Sequence, residues 1–148
     1  MFNKETEYAL RSLVYIKLQN VKGYKPGVVE IAKAIETPQF FMAKILQRLA
    51  KQGLVQSAKG KGGGFYFDPK KPELSLKEVI EFTEGTDFFN SCAFGLKKCS
   101  DENPCPMHEH YARIRENISQ MVTHESIQSF ADKILNGHAS INGAKNLI

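Results

Sequence analysis

The three cysteines of the chain stand close together, and their spacing is the feature of the sequence most able to do chemistry. Cys92, Cys99 and Cys105 form a C-x6-C-x5-C pattern, and His108 follows three positions after the last cysteine. The same stretch contains a glycine and two prolines, which predict a loop rather than a helix or a strand. A loop can fold three thiolates around one point, which a regular element at these spacings cannot do easily.

The residues alone leave three interpretations of this segment, residues 86–106, which we call the cysteine loop. Soft thiolates bind iron–sulfur clusters, zinc or cuprous copper, so the loop is a candidate metal or cluster site. Two of the thiols could instead pair on oxidation, as in a redox switch, or the three cysteines could be unrelated. The spacing lacks the short cysteine knuckles of zinc fingers.

The elements that must position this loop begin with three helices. Apolar residues around much of the circumference predict a buried first helix from Thr6 to about Leu18, with Thr6 as its cap and an ion pair between Glu7 and Arg11. A short second helix is predicted over residues 28–35. The pair Thr37-Pro38 then predicts a stop and a new start, with proline in the first helical position.

The third helix is predicted from Pro38 to about Gln52, with Phe41 among the residues that face inward and Gly53 at its end. Two short helices joined by a tight turn, the second more basic, form a helix-turn-helix pattern. Residues 55–58 and 65–67 predict two short strands, and the turn between them, residues 59–64, is rich in glycine and lysine. A basic hairpin in this place predicts a wing. A nucleotide phosphate loop would need a different order of glycine, lysine and serine or threonine.

The C-terminal part is predicted to hold three further helices. Ser75 and Glu78 predict a capping box for a helix over residues 75–83. From about Met107 to Val122 a long helix carries an apolar stripe at near-heptad spacing, which predicts packing against an identical helix or back onto its own domain. A final helix is predicted to start at Thr123. We therefore expect a mainly α fold with four regions, namely a winged helix-turn-helix domain (1–85), the cysteine loop (86–106), dimerisation helices (107–136) and a disordered tail (137–148).

Composition and charge narrow the class of protein. Hydrophobic residues make up 42% and charged residues 24% of the chain, as expected for a soluble globular protein, and no apolar run resembles a membrane span or a signal peptide. We therefore expect a cytoplasmic protein. Residues 1–84 hold 14 basic and 9 acidic residues, whereas residues 85–148 hold 6 and 7, so the N-terminal part is the one expected to meet a polyanion. No catalytic arrangement stands out, and we do not expect an enzyme.

Four segments follow one another along the chain, and the three cysteines come after them: T-E-Y-A-L-R-S-L, I-A-K-A-I, I-L-Q-R-L-A-K-Q-G-L-V-Q-S-A-K-G-K-G-G-G-F and L-S-L-K-E-V-I-E-F-T-E-G. In this order they closely resemble the Rrf2 family of bacterial, dimeric, winged-helix transcription regulators. The resemblance covers roughly residues 1–135. It implies a cytoplasmic homodimer that binds a palindromic double-stranded DNA operator, with the third helix in the major groove and the wing at the adjacent minor groove.

The resemblance also implies which residues bind. Cys92, Cys99 and Cys105 would hold an iron–sulfur cluster, 2Fe–2S rather than 4Fe–4S, with His108 or the partner subunit's Glu7 as fourth ligand. Pro38 and Phe40 stand where relatives often have small polar residues. The family's DNA contacts fall on Phe41 and Lys44 in the third helix and on Lys59 and Gly60 in the wing. From their own chemistry and position we add Gln39, Gln47, Arg48 and Lys61 as expected contacts.

The function expected from these features is a switch. Cluster binding would order the cysteine loop, alter the placement of the two winged helices in the dimer, and so change operator affinity in response to nitric oxide, redox state or iron–sulfur status. The alternative is a regulator of the same fold without a cluster, in which the cysteines act as a thiol switch. A small thiol or electron-transfer enzyme is a third possibility, against which the basic helix-turn-helix and wing argue.

Overall fold

The computed structural model describes residues 1–143. These residues form six helices and one two-stranded antiparallel sheet, in which Ser57 pairs with Phe65. The core lies where α1 meets α3, α4 and α6, and it also receives side chains from the sheet and the end of α5. The elements in chain order are α1 (Lys4–Val21), α2 (Val28–Ala34), α3 (Gln39–Lys51), β1 (Gln56–Ala58), β2 (Gly64–Tyr66), α4 (Leu76–Glu84), α5 (His108–His124) and α6 (Ile127–Leu135).

The first helix starts earlier than the sequence predicts. Asn3 is its cap, because the Asn3 side chain accepts a hydrogen bond from the backbone N–H of Thr6. Thr6 is fully buried, and its hydroxyl instead lies 2.7 Å from both the Thr83 hydroxyl and a Glu84 carboxylate oxygen. The predicted cap at Thr6 is therefore wrong. The residue instead joins the start of α1 to the end of α4.

The third helix turns its apolar face inward and leaves both phenylalanines outside. Met42, Ile45, Leu46 and Leu49 are buried, whereas Phe40 and Phe41 are 66% and 56% exposed. The prediction that Phe41 faces inward is wrong, because Met42, one position on, occupies that place. Pro38 precedes the helix in an extended conformation and is its cap residue rather than its first helical residue.

Two wing glycines are required by the fold itself. A Cβ atom on Gly63 would lie 2.2 Å from the Ala58 carbonyl oxygen, and one on Gly64 would lie 2.2 Å from the Lys25 carbonyl oxygen. The neighbouring Phe65 N–H donates to the Pro26 carbonyl oxygen at 2.9 Å. The hairpin is thus held tightly against the segment that precedes α2, and only glycine permits that approach.

The starts of α4 and α6 lie side by side. Ser75 forms the predicted capping box with Glu78, and Ser126 forms a second box with Ser129. Ser126, not the predicted Thr123, therefore caps α6. Ser75 and Ser126 also form an antiparallel bridge, in which the Leu76 N–H donates to the Glu125 carbonyl at 3.0 Å and the Ile127 N–H donates to the Leu74 carbonyl at 2.9 Å.

The long helix α5 is attached to the core mainly near its C-terminal end. Within the described chain, Val122 is the one residue of α5 that is buried. Its apolar stripe is open in part: Ile114 and Met121 are 53% and 49% exposed, whereas Ile118 is half-buried and packs against the core. The face predicted to meet an identical helix is thus covered by the rest of the chain at Ile118 and exposed at Ile114 and Met121.

The first residues of the predicted disordered tail lie against the helical core. Arg11 Nε donates to the Ile141 carbonyl at 3.3 Å, and the Arg11 guanidinium also binds the Asn142 side-chain oxygen. Arg11 is therefore not paired with Glu7, whose carboxylate binds Lys4. Residues 144–148 of the predicted tail lie outside the described residues. Among residues 1–143, no helix has both the length and the apolar character needed to cross a membrane.

Candidate cysteine site and nucleic-acid interface

The cysteine loop begins on a small aromatic cluster that fixes it to the start of α1. The rings of Phe88 and Phe2 lie 5.7 Å apart, and those of Phe88 and Phe89 lie 5.0 Å apart in an edge-to-face arrangement. Phe89 is buried. The N–H groups of Asn90 and Ser91 both donate to the Asp87 carbonyl oxygen, so the chain leaves this cluster through a tight turn. The loop is anchored there to the part of the chain that carries the helix-turn-helix.

The four sequence-predicted donors of the loop region lie in two pairs. Sγ of Cys92 lies 3.6 Å from Sγ of Cys105, and Sγ of Cys99 lies 3.3 Å from Nδ1 of His108. All three cysteines are half-buried and free. Within residues 1–143, no three histidine, cysteine or acidic side chains converge closely enough to hold a single metal ion. The expected gathering of three thiolates around one point is therefore replaced by two pairs.

Backbone groups of the loop favour the thiolate form of Cys92. The hydrogen bond from the backbone N–H of Leu96 lowers its pKa most strongly, and burial opposes this as the second-largest contribution. The backbone N–H groups of Phe94 and Gly95 and the Cys105 thiol lower the pKa further, so the net direction is downward. A thiolate is the form that binds metal and the form that reacts as a nucleophile. The loop backbone thus prepares Cys92 for either chemistry.

His108 is held in the tautomer that a metal ligand needs. Its Nε2 atom lies 2.7 Å from a carboxylate oxygen of Asp101, and an ionised carboxylate can only accept, so Nε2 carries the proton. In the neutral imidazole Nδ1, which faces Cys99, then has the free lone pair. Histidine ligands in proteins are commonly oriented by a carboxylate in this way. The sequence interpretation missed Asp101, although its place between Cys99 and Cys105 is a signal.

Arg115 is a second residue that the sequence interpretation missed. Its Nη1 atom donates to the Ser91 carbonyl oxygen at 3.0 Å and to Sγ of Cys99 at 3.2 Å. It lies seven residues after His108, two turns along the same face of α5. That spacing is the signal that could have identified it.

Glu7, the other predicted fourth ligand, lies on α1. Its carboxylate pairs with Lys4 Nζ at 2.7 Å, and the hydrogen bond from Lys4 lowers the pKa of Glu7. It also lines an apolar groove of about 500 Å³ between α1, α6 and residues 139–141. Within the described chain its contacts are thus separate from the cysteine pairs, and its role as a ligand for a partner subunit stays a prediction.

Each of the two donor pairs has about the separation that two ligands of one metal ion would have. Metal–sulfur bonds of about 2.3 Å and metal–nitrogen bonds of about 2.0 Å place two tetrahedral ligands roughly 3.8 Å apart when both are sulfur, and roughly 3.5 Å apart when one is nitrogen. The observed separations, 3.6 Å for Cys92 and Cys105 and 3.3 Å for Cys99 and His108, are close to these values. Three thiols and one imidazole are also donors that iron–sulfur clusters accept.

The outer face of α3 carries most of the predicted DNA contacts. Gln39, Phe41, Lys44 and Gln47 are all exposed on it. The Lys44 ammonium lies 4.3 Å from the centre of the Phe40 ring, so the exposed aromatic ring holds the cation at the surface by a cation–π contact. This face combines a positive charge, two amides and two aromatic rings, which suits contact with phosphates and base edges.

Arg48, although exposed, is engaged within the chain. Its guanidinium pairs with the Glu5 carboxylate on α1 and lies 5.1 Å from the centre of the Phe82 ring on α4. These contacts tie α3 to both helices. Arg48 therefore stabilises the packing of α3 against α1 and α4, and its contact with DNA stays a prediction.

The wing presents its basic turn to solvent. Lys59, Gly60 and Lys61 are exposed at the tip of the hairpin. Gly60 and Gly62 have φ angles of +86° and +76°, in the left-handed region that favours glycine. The tip is therefore a fixed turn with two cations on it, on an element that the backbone contacts of Gly63 and Gly64 hold in place.

Comparison with known proteins agrees with this architecture. Residues 2–133 match the profile of the Rrf2 family, which is described as an iron-dependent transcriptional regulator. The chain is 32% identical over 120 residues to a protein in the class of HTH-type transcriptional regulators from Aquifex aeolicus, covering 80% of this chain and 82% of that one. It is 28% identical over 98 residues to the regulator NsrR of Bacillus subtilis, covering 66% of this chain and 62% of NsrR.

Solved structures show the same fold. IscR from T. potens superposes with a TM-score of 0.70 at 14% identity, covering 95% of this chain and 92% of that one. CymR, the global cysteine regulator of B. subtilis, superposes with a TM-score of 0.69 at 18% identity, covering 89% and 96%. The expected mainly α, winged-helix architecture is confirmed by these neighbours. The matched family consists of transcriptional regulators, so the expectation that the chain is not an enzyme is also confirmed. The chain belongs to the Rrf2 family of transcriptional regulators.

Proposed function

We propose that the chain is a DNA-binding regulator whose operator affinity is controlled by an iron–sulfur cluster held by Cys92, Cys99, Cys105 and His108. One observation carries the proposal: three thiols and an imidazole lie in two pairs at separations expected for ligands of one metal ion each. The similarity to the regulators NsrR and IscR supports this proposal.

The pairing favours a 2Fe–2S cluster. In such a cluster each iron takes two protein ligands, so Cys92 with Cys105 would serve one iron and Cys99 with His108 the other. A bound cluster supplies an iron centre that changes oxidation state and reacts with nitric oxide or oxygen. The chain's own residues orient the site: Asp101 fixes the His108 ring, and backbone N–H groups favour the Cys92 thiolate.

The fourth ligand is His108 in this proposal. Its Nδ1 atom already faces Cys99, and its other nitrogen is held by a carboxylate. Glu7 is the alternative, contributed by a partner subunit, and it would first have to leave Lys4. His108→Ala with Glu7 intact, and Glu7→Gln with His108 intact, distinguish the two, since only the true ligand's removal should change the visible spectrum.

We infer that the protein acts as a homodimer on a palindromic operator in the cytoplasm. Two residues of the apolar stripe of α5, Ile114 and Met121, are exposed in the single chain, and a second copy of the same helix would cover them on both subunits at once. A two-fold dimer places two α3 helices and two wings on one face of the DNA, which a palindrome matches. Lys44, Lys59 and Lys61 would neutralise phosphates.

The first experiment is an anaerobic visible spectrum with iron and sulfide analysis, on the wild type and on Cys99→Ala. Charge-transfer absorption with acid-labile sulfide in the wild type, and its loss in the variant, is the expected result. Ser100→Ala, a neighbouring loop change outside the ligand set, is the matched control and should keep the absorption. A wild type that takes up no iron after anaerobic reconstitution would overturn the cluster proposal.

The second candidate is a regulator that uses the thiols directly. The 3.6 Å separation of the Cys92 and Cys105 sulfurs favours it, because both thiols could form a disulfide by giving two electrons and two protons to a peroxide. The structural likeness to CymR shows only that the fold is shared. Peptide mapping after mild peroxide treatment should find a Cys92–Cys105 disulfide, with an accompanying change in operator affinity, if this candidate is right.

A further inference from the structure

Arg115 is not one of the predicted ligands, and its side chain connects α5 to the cysteine loop. One nitrogen of its guanidinium, Nη1, reaches both the Ser91 carbonyl oxygen at 3.0 Å and Sγ of Cys99 at 3.2 Å. Ser91 ends the turn that starts on the Phe88 and Phe89 cluster, whereas Cys99 lies at the middle of the loop. A single side chain of α5 therefore holds the beginning and the middle of the cysteine loop together.

The N-terminal half of α5 has few other attachments. Val122, near its far end, is the buried residue of the helix among the described residues, and Ile114 is half exposed. His108 contacts Cys99 and Asp101 from the first turn, and Arg115 contacts Ser91 and Cys99 two turns later. The conformation of the cysteine loop and the position of the N-terminal half of α5 are thus linked through the side chains of His108 and Arg115.

The contacts of Arg115 differ from those of His108 in what they connect. His108 binds loop atoms only, through Cys99 and Asp101. Arg115 also binds Ser91, whose N–H is held by Asp87 at 2.8 Å, directly after the aromatic cluster that packs on Phe2 of the N-terminal part. Val122 and Ile118 attach the C-terminal half of α5 to the core, and Arg115 adds a connection from the DNA-binding part to the N-terminal half that runs through Ser91.

We propose that Arg115 is the positioning residue that couples the cysteine loop to the dimerisation helix, by holding the Ser91 carbonyl and the Cys99 sulfur against α5. A change at Cys99, whether ligation or oxidation, removes or strengthens one of the two bonds that this guanidinium makes. The position of the N-terminal half of α5 relative to the DNA-binding part then becomes more or less constrained. We call the two bonds of Arg115, to the Ser91 carbonyl and to the Cys99 sulfur, the Arg115 clamp. The coupling role rests on the function proposed above, whereas the clamp is a contact of the cluster-free chain.

The clamp is tested on the cluster-free, full-length protein by amide hydrogen exchange. Arg115→Gln should raise exchange rates about tenfold in residues 91–101 and in the first two turns of α5, since it removes a charged donor from two acceptors. Arg113→Gln is the matched control, because Arg113 lies on the same helix and its hydrogen bonds within residues 1–143 go to Glu109 of that helix. Equal exchange in Arg115→Gln and the wild type, or the same increase in Arg113→Gln, would overturn the clamp.

The coupling is tested with a DNA duplex selected from a random pool by the wild type. The ratio of cluster-loaded to cluster-free affinity should fall at least fivefold toward unity in Arg115→Gln while iron and sulfide per subunit stay unchanged. Arg115→Lys, which keeps the charge, should lie between the two. An unchanged ratio, or loss of iron from Arg115→Gln, would overturn the coupling. A wild type without iron would instead refute the proposed function, and hydrogen exchange would still decide the clamp.

Discussion

Residues 1–85 and the segment formed by the cysteine loop and α5 are held in place by different interactions. The first part rests on burial: α1 alone contributes Ala9, Leu13, Ile16 and Leu18, all fully buried. The second part is buried only at its two ends, at Phe89 and Val122. Between them it exposes Phe94 and Leu96 and is held by polar contacts of His108 and Arg115. A single hydrogen bond contributes only about 1 kcal/mol, so few changes suffice to rearrange this second part.

The difference suits a regulator. A surface that must match DNA needs a fixed shape, and a close-packed core provides it. A segment that must respond to a ligand has to come from the less stable part of the molecule, where local opening requires little free energy. The following changes test whether the two parts differ in this way.

The largest effect is expected from Leu46→Ala. Leu46 is fully buried on α3, so its truncation should lower the free energy of unfolding by about 3 kcal/mol through lost burial and a remaining cavity. Ile114→Ala is the control, because this α5 side chain is 53% exposed. Urea unfolding should show that the control lowers the free energy of unfolding by less than about 0.5 kcal/mol. The measurement is repeated at several protein concentrations, because a loss that depends on concentration would report a dimer contact of Ile114.

The wing offers a comparison within the rigid part. Gly64→Ala should destabilise the protein by about 2 kcal/mol or more, because the new methyl group meets the Lys25 carbonyl and the φ angle of +144° is strained for alanine. Gly62→Ala, with a φ of +76° and open space around it, should cost about 1 kcal/mol. Thermal unfolding of both variants checks this, and equal losses would show that the contact with residue 25 is not needed.

The cysteine loop should respond to a change that scarcely affects stability. Asp101→Asn removes the carboxylate that orients His108, and iron retention against a chelator should fall about tenfold or more. Asp101 is exposed, so the thermal midpoint should hardly change. Glu102→Gln, at the next position, is the control. If Asp101→Asn releases iron no faster than the control, His108 is not oriented in the way that the structure indicates.

The smallest effect is expected at the wing tip. Lys59→Gln should reduce the slope of log affinity against log salt concentration by about 0.9, because one phosphate contact is lost, and should weaken binding by a few-fold at moderate salt. Lys70→Gln, an exposed lysine outside the hairpin, should leave the slope unchanged. Fluorescence anisotropy over a range of salt concentrations measures both. Equal slopes for Lys59→Gln and the wild type would remove this residue from the interface.

Much of the fold follows from local sequence signals, and the errors have physical causes. The capping box of Ser75 and Glu78 and the glycine-rich hairpin are short-range patterns, and both are found. The predicted caps of α1 and α6, Thr6 and Thr123, each lie three residues from the observed ones, because threonine is a good cap residue when only local sequence is considered. Tertiary contacts decide which residue caps the helix, since the Thr6 hydroxyl is buried against α4, where it contacts Thr83 and Glu84.

The candidate site was predictable in its residue types but not in its arrangement. The cysteines and His108 follow from spacing in one loop, and the structure brings them together in pairs. Asp101 and Arg115 were not identified, because a charged residue on an exposed loop or helix normally faces solvent. Their roles depend on the path of the loop relative to α5, which local patterns do not specify.

The bridge between Ser75 and Ser126 has a geometric consequence for the proposed dimer. It joins the starts of α4 and α6 next to the C-terminal end of α5, so that end is a pivot rather than a sliding contact. The 17 residues of α5 span about 25 Å, so a displacement of about 1 Å at His108 rotates the helix axis by only about 2°. Two such helices, crossed in a dimer, would turn the same displacement into opposite rotations of the two DNA-reading surfaces, which changes the angle at which they meet an operator more than the distance between them.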